Sequence, residues 1–160
     1  MGYTHYWSRR EWDNTSAGFP LLCRVATDIF DYATKQGIPL AGSHGDPTTQ
    51  REINVEHIMF NGVGQDAHET FYWPRKATRP QWQDHYPALW VSATITEFCK
   101  TNYKPYDVVV LAMLAAADLI YEGGIDFDSD GGEEVLQDGR NFMLAACPNF
   151  YELLAGDNDE

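Results

Sequence analysis

The stretch PYDVVVLAMLAAADLIY, residues 105–121, decides the fold of this chain. Proline suits the first position of a helix, and Asp107 follows in the first turn, where a negative charge is favourable beside the positive end of the helix dipole. Over residues 108–121 only Asp118 is charged, and a helix that is apolar around nearly its whole circumference is a buried one. The stretch is shorter than the ~20 apolar residues that span a bilayer. We therefore predict a core helix wrapped by other elements.

A second helix and several strands surround this core helix in the sequence pattern. After Pro20 the apolar residues recur every three or four positions, which predicts an amphipathic helix over residues 20–35. Aromatic residues and threonine alternate over residues 3–7, as they do in strands. Further strands are predicted over 53–60, 68–73, 89–99 and 125–128, with a hairpin loop at 61–66, a helix from Glu133 and a short helical turn at 148–154. These elements predict an α+β fold: a mainly antiparallel sheet with two major helices on one face, one of them fully buried.

The length of the chain and its cysteines limit the class of protein to which it can belong. A chain of 160 residues predicts a single α+β domain, over 1–155, followed by an acidic disordered tail over 156–160. Cys23, Cys99 and Cys147 lie far apart among apolar residues, which favours free thiols in a reducing compartment. The N-terminus lacks the basic and apolar segments of a signal peptide. The sequence therefore predicts a cytoplasmic protein with no membrane partner.

The charge is unevenly distributed. The formal net charge is −13, and residues 122–160 carry eleven acidic side chains against one basic side chain, Arg140. This third therefore holds −10, and the first 121 residues hold −3. The overall acidity argues against duplex nucleic acid as a partner, because that binding depends on neutralising phosphates. One hypothesis is an interaction module that binds a basic host protein through Glu133, Glu134 and Asp138. The alternative is a solubilising surface.

Residues 126–131, DFDSDG, are similar to the start of a calcium loop. Asp126, Asp128 and Asp130 occupy the first, third and fifth positions, and glycine occupies the sixth. The twelfth position, where such loops carry a bidentate Glu, is Gln137. We predict no cofactor, and we hold calcium at these three carboxylates only as a minor hypothesis. The alternative is an acidic turn before a helix.

Histidines and carboxylates in the middle of the chain give a further hypothesis, a metal-dependent hydrolase. His44, Asp46, His57, His68 and Glu69 would converge if the hairpin strands pair. None of the spacings typical of metal sites is present, and a histidine on an apolar strand face is more often a hydrogen-bonded core residue. The sequence also carries no complete catalytic constellation, so binding is favoured over turnover.

Cations and aromatic rings follow one another around the second hairpin strand. They are Trp73, Arg75, Lys76, Arg79 and Trp82. Groups of this kind can hold a phosphate and stack a base. The alternative is a solvated connection, and the glycine-rich loops of the common nucleotide-binding folds are absent from the sequence.

Three further pieces of sequence form a distinctive set: MGYTHYW (1–7), FNGVG (60–64) running on to HETF (68–71), and FCKT (98–101) with KPYD (104–107). Together they resemble small uncharacterised proteins encoded by phages and prophages, a group that brings no known activity. The resemblance covers the N-terminus, the hairpin and the entry to the core helix. It implies an accessory viral protein in the host cytoplasm, where countering host defence is a common role.

The polar residues of these pieces are the candidate ligand-binding residues, because loops and sheet rims are where pockets are usually built. They are His5, Asn61, His68, Glu69, Lys100, Thr101 and Lys104, with Trp7 as a flat surface for a base or ring. Our main hypothesis is a phage-type accessory protein that sequesters a small polar, nucleotide-derived ligand beside the hairpin. The alternative is that His68 and Glu69 only hydrogen-bond the loop while Lys100 points to solvent.

Overall fold

The computed structural model describes residues 3–10, 17–77, 94–122 and 124–158. Within these ranges the chain forms four helices and six strands. The helices are α1 (Phe19–Lys35), α2 (Asp107–Ile120), α3 (Gly132–Ala146) and α4 (Phe150–Asn158). The strands are β1 (Thr4–Arg10), β2 (Glu52–Ile53), β3 (His57–Phe60), β4 (Phe71–Pro74), β5 (Thr94–Lys100) and β6 (Ile125–Ser129). The predicted α+β class is confirmed.

Helix α2 is the buried core helix that the sequence predicts. Residues 109–117 are all buried, because apolar side chains surround the helix axis and leave no face for solvent. Helix α1 shows the amphipathic pattern: its eight buried residues share one face, while Arg24, Thr27 and Asp31 are exposed. Both helices contribute to one hydrophobic core, which also contains side chains of β1, β3 and β4.

Helix α3 packs closely against α2, and Gly139 permits this approach. A Cβ atom at position 139 would lie 2.7 Å from Leu111 Cβ and 2.9 Å from the Leu111 carbonyl oxygen. Both distances are too short for van der Waals contact in a close-packed interior. Leu136 and Met143, three positions before and four after the glycine, are buried on the same face of α3. The α2–α3 interface is therefore built around one missing side chain.

The described strands form two antiparallel sheets, whereas the sequence predicted one. In the first sheet β1 lies between β5 and β6, and in the second β3 lies between β2 and β4. Aromatic rings fill the space between the sheets: the ring centroid of Trp7 is 5.4 Å from that of Phe71 and 6.1 Å from that of Trp73. Two sheets that face each other bury these large rings from both sides, which a single continuous ladder does not.

The predicted strand over residues 53–60 is wrong at its centre, where it breaks into β2 and β3. Asn54 causes the break, because its Oδ1 accepts hydrogen bonds from the N–H groups of Glu56 at 2.8 Å and His57 at 2.9 Å. An Asn side chain that bonds the backbone two residues on holds a turn. Val55 lies at the tip of this turn and is 77% exposed, although the alternating pattern assigns it to a strand.

Two other predicted boundaries differ from the structure. The strand predicted from residue 68 begins at Phe71, so His68 and Glu69 lie in the loop before β4. Helix α4 extends to Asn158, so residues 156–158, predicted as a disordered tail, continue a helix. Residues 89–93 and 159–160 of the corresponding predictions lie outside the described residues. Of the helices described, none combines the length and the apolar character needed to cross a membrane.

Candidate functional site

Most of the predicted ligand-binding residues lie together, where the end of β5 and the start of α2 meet the start of β1 and the loop before β4. We call this group the polar cluster: His5, Asn61, His68, Glu69, Lys100, Thr101, Asp107 and Ser129. The pairing of β1 with both neighbours brings His5 beside Cys99 on one side and beside Ser129 on the other. Asp107 and Ser129 were not among the predicted site residues, and only tertiary structure places them here.

His5 is the fully buried centre of the polar cluster. Its Nε2 lies 2.5 Å from Asp107 Oδ1, and its Nδ1 lies 2.8 Å from Ser129 Oγ. The Thr101 hydroxyl donates to the same Asp107 oxygen. An ionised carboxylate can only accept, so the ring proton of neutral His5 belongs on Nε2, and Nδ1 accepts from the Ser129 hydroxyl.

Ser129, His5 and Asp107 have the composition of a hydrolase triad but not its accessibility. In such a triad the serine oxygen faces the substrate. Here Ser129 is only 7% exposed, and its oxygen also accepts the N–H of Gly131 at 3.0 Å. Burial raises the pKa of the Tyr3 phenol, and the hydrogen bond between that phenol and Ser129 acts in the opposite direction. The serine oxygen is thus occupied by protein groups, and the arrangement serves to join β1, β6 and α2.

Asn61 is fully buried and uses both ends of its amide. Its Oδ1 accepts from the N–H groups of Gly62 at 2.7 Å and His68 at 3.1 Å. Its Nδ2 donates to the His68 carbonyl oxygen at 3.0 Å and to Thr70 Oγ1 at 3.1 Å. These four bonds exhaust the two donors and two lone pairs of the amide. Asn61 therefore closes the loop between β3 and β4 and has no group left for a ligand.

Glu69 and Lys100 join that loop to the end of β5. The Lys100 N–H donates to Glu69 Oε2 at 2.6 Å, and the Glu69 N–H donates to the Lys100 carbonyl oxygen at 3.1 Å. The Tyr106 hydroxyl donates to the Glu69 carbonyl oxygen at 2.6 Å, and burial raises the pKa of this phenol, which keeps it a donor. His68 Nδ1 lies 2.8 Å from the Lys100 carbonyl oxygen. Most polar groups of the loop thus bond one another.

Backbone strain accompanies the polar cluster. Among the described residues, the non-glycine residues with positive φ are His44 (61°), Asn102 (51°) and Tyr103 (62°). The His44 N–H donates to Thr70 Oγ1 at 2.9 Å, and the other two follow the end of β5. The Tyr103 ring stacks on Tyr3 with centroids 4.1 Å apart. Strained residues persist only where their surroundings hold them, and Thr70 and Tyr3, next to the polar cluster, contact His44 and Tyr103.

Two predicted residues stand apart from the cluster. Trp7 is 3% exposed and lies between the two sheets, so its ring offers no open face for stacking. Lys104 lies in the turn before α2, where its N–H donates to the Thr101 carbonyl oxygen at 3.1 Å. Of the predicted set, His68 is exposed, and Lys100 and Lys104 are half-buried.

The carboxylates predicted to bind calcium lie on and after an extended strand. Asp126 and Asp128 belong to β6, and Asp130 follows it and accepts the Thr4 N–H at 3.0 Å. Alternate residues of a strand are nearly 7 Å apart, so they do not wrap around an ion as a loop does. Among the residues that the structure describes, no group of three or more His, Cys, Asp or Glu side chains is arranged to hold a metal ion. The calcium and hydrolase hypotheses stay predictions.

A cavity of about 500 Å³ lies at the other end of the hairpin, and we call it the hairpin cavity. It is bounded by the start of α1, the turn between β2 and β3, and the residue after β4. Its lining residues are Phe19, Pro20, Cys23, Ile53, Asn54, Val55, Glu56 and Arg75. Its walls are mainly apolar, with a few polar groups at the edge, which is the composition of small-molecule sites.

The polar groups at the edge of the hairpin cavity keep their side chains available. The Arg75 N–H donates to the Glu56 carbonyl oxygen at 2.8 Å, which fixes both residues in position. Their side chains are exposed, and neither the guanidinium nor the carboxylate has a hydrogen-bond or ion-pair partner among the described residues. Burial raises the pKa of the Cys23 thiol to about 11, so this thiol stays protonated at neutral pH.

Arg9, which the sequence did not single out, supports the strand next to the cavity. It is 1% exposed, and its guanidinium donates to the carbonyl oxygens of Pro74 at 2.7 Å and Arg75 at 3.2 Å. The guanidinium carbon lies 4.2 Å from the centroid of the Trp73 ring. Burial raises the pKa of Glu97, and the charge of Arg9 partly opposes this shift. Period-two alternation from Tyr3 places Arg9 on the inward face, and this signal could have identified it.

From the sequence we predicted a pocket beside the hairpin, at the end that contains residues 61–70. The hairpin cavity instead lies at the opposite end, beside residues 54–56. Phe19, Cys23 and Val55 were missed because the cavity depends on a turn that the alternating pattern hid. Arg75 was predicted as one of a group of cations and aromatic rings that could hold a phosphate and stack a base, and Arg79 and Trp82 of that group lie outside the described residues. Comparison of the chain with protein-family models, curated proteins and solved structures gives no match, so its function is argued from these sites.

Proposed function

We propose that this protein binds a small molecule in the hairpin cavity and sequesters it without turnover. The ligand class is one with a flat, apolar-faced ring and an anionic group, and nucleotide-derived molecules meet both requirements. The observation that carries the proposal is the cavity of about 500 Å³ with the guanidinium of Arg75 at its edge, which has no partner among the described residues.

The size and the walls of the cavity support a small-molecule ligand. Its volume falls within the roughly 300–1,000 Å³ typical of ligand sites. Pro20, Ile53 and Val55 offer apolar surface on which a ring can be buried. Val55 is 77% exposed in the structure, and covering such a side chain with a ring removes apolar area from water.

The charges at the edge support an anionic ligand. Arg75 presents a planar group of donors that matches phosphate or carboxylate, and its side chain is exposed. Glu56 adds an acceptor for the amino or hydroxyl groups of a nucleoside. Residues 1–121 hold only −3 of the net charge of −13, so an anion is repelled less here than the total implies.

The chemistry of the lining favours binding over turnover. Cys23 is the nucleophile among the lining residues, and a thiol with a pKa of about 11 is almost wholly protonated at pH 7. Among the residues that the structure describes, no histidine lines the cavity to serve as its base. If the resemblance to phage proteins reflects origin, sequestering a nucleotide signal would counter a host defence.

The first test is native mass spectrometry of the purified protein, followed by calorimetry with adenosine monophosphate, cyclic dinucleotides, adenosine and inorganic phosphate. We expect at least one nucleotide to bind, with phosphate alone much weaker. Arg75→Gln should weaken binding about tenfold or more, which corresponds to the loss of one charge-assisted contact. Cys23→Phe should abolish binding by filling the cavity, with the melting temperature recorded for each variant.

The matched control is Lys76→Gln, which removes the neighbouring exposed cation outside the cavity lining. It should change the affinity by about twofold or less. Equal losses in Arg75→Gln and Lys76→Gln would indicate general charge attraction and contradict the proposed site. Absence of binding by every nucleotide, with no small molecule released from the native protein, would reject the proposal.

A further inference from the structure

The first sheet, β5–β1–β6, has one face turned away from the core. The antiparallel register places Phe98, Tyr6 and Asp128 in one row across this face, and Thr96, Ser8 and Asp126 in the next. We call these six residues the outer sheet face. Tyr6 is 42% exposed and Phe98 is 46% exposed, and both aspartates are exposed. Two aromatic rings and two carboxylates therefore lie on one face of the sheet, with Tyr6 between Phe98 and Asp128.

The two carboxylates are not neutralised by a cation among the described residues. Within the described part of the chain, Asp128 Oδ1 accepts only the backbone N–H of Ser129, at 2.8 Å, and the Asp126 carboxylate accepts no hydrogen bond. Burial raises the pKa of the Asp118 carboxyl, the charge of Arg140 opposes this shift, and the charge of Asp126 adds to it. A depression of about 170 Å³ between β1 and β6 is lined by both aspartates together with Tyr6 and Ser8. Negative charge and a small hollow thus coincide.

From this arrangement we infer that the outer sheet face binds an extended segment of a partner protein that carries Lys or Arg at alternate positions. Asp126 and Asp128 are separated by the two-residue repeat of a strand, about 6.6–6.8 Å, and an extended peptide presents alternate side chains at the same spacing. The apolar stems of Lys or Arg side chains pack on the rings of Tyr6 and Phe98, and their charged ends reach the carboxylates. This surface is separate from the hairpin cavity and does not depend on the proposed ligand.

The acids of α3 differ from those of the outer sheet face. Glu133 already accepts a hydrogen bond from Arg140 at 3.0 Å. Glu134 and Asp138 are exposed, but no large aromatic residue of α3 is exposed beside them. The same number of charges can therefore be removed from either place, which separates a specific site from the general negative charge of the protein.

The experiment measures the binding of a labelled peptide of alternating Arg and Thr by fluorescence anisotropy. A peptide of equal composition with its Arg residues contiguous is the probe control. The alternating peptide should bind about tenfold more tightly than the contiguous one. The double variant D126N/D128N should weaken its binding about tenfold, and Tyr6→Thr several-fold, whereas E134Q/D138N should change it by about twofold or less.

Thermal melting confirms that each variant is folded, and Tyr6→Thr tests the site independently if the double aspartate variant melts early. Equal losses in D126N/D128N and E134Q/D138N would overturn the inference, because they indicate attraction by net charge alone. Equal affinity for the two peptides, or no binding of either, would also overturn it.

Discussion

The polar cluster and the hairpin cavity lie at opposite ends of the same hairpin and differ in how their polar groups are used. In the polar cluster, the donors and the oxygen of the Asn61 amide are all hydrogen-bonded within the loop. The fully buried His5 is hydrogen-bonded through both ring nitrogens. At the cavity, the side chains of Arg75 and Glu56 have no partner among the described residues. The polar residues that we predicted to bind a ligand therefore stabilise the fold through hydrogen bonds to other protein groups.

This difference shows that a polar side chain can bind a ligand only through donors and acceptors that are not already hydrogen-bonded within the protein. A buried polar group without a partner is costly, so cores select polar residues that satisfy one another. An exposed guanidinium is hydrated and does not incur that cost, so its N–H donors stay available to a ligand. The comparison predicts large effects on stability for the buried groups of the polar cluster and small effects for exposed side chains there and at the cavity.

The largest expected effect is that of Asp107→Ala. Removing the carboxylate leaves the buried His5 N–H and the Thr101 hydroxyl without their acceptor, which should lower the free energy of unfolding by about 3–5 kcal/mol. Urea denaturation measures this value. Asp107→Asn, which keeps an acceptor oxygen, should lose less, and Asp138→Ala on the exposed face of α3 should change it by about 0.5 kcal/mol or less. A loss below about 1 kcal/mol for Asp107→Ala would break the comparison.

The next effect concerns the reactivity of Cys23. Because burial raises its pKa from 9.0 to about 11, the thiolate fraction at pH 8 is about 100-fold lower than for an ordinary thiol. Alkylation by iodoacetamide should be slower by this factor than in the urea-unfolded protein, and it should accelerate about tenfold per pH unit between pH 8 and 10. Cys99 and Cys147, both fully buried, should react more slowly still. Rapid alkylation of folded Cys23 at pH 7 would show that the cavity does not shield this thiol.

The smallest expected effect is that of His68→Ala. The side chain is exposed and, among the described residues, makes one hydrogen bond, to the Lys100 carbonyl oxygen, so the free energy of unfolding should fall by about 1 kcal/mol or less. Ligand capture, measured by calorimetry with the nucleotide that binds the wild type, should be unchanged. If His68→Ala abolished capture while its melting temperature stayed constant, the ligand site would belong at the polar cluster.

Some of the candidate site could be predicted because its residues come from three distinctive pieces of sequence whose polar residues were expected in loops and at sheet rims. The structure brings His5, Asn61 and Glu69 from these pieces into one cluster. The partners of His5 could not be predicted, because Asp107 and Ser129 lie 102 and 124 residues further along the chain. The hairpin cavity could not be predicted because the Asn54 side chain hydrogen-bonds the backbone and forms a turn where we predicted a continuous strand.

The sequence by itself determined the buried helix α2, the amphipathic helix α1 and the α+β class, because these depend on the composition and periodicity of short stretches. Only the tertiary structure decided that Leu111 packs directly against the backbone of Gly139, that Arg9 lies buried against Trp73, and that the described strands form two sheets. Each of these depends on space and hydrogen-bond partners supplied from far along the chain. Periodicity tells which side of an element is buried, whereas the partner that buries it is fixed only when the elements pack.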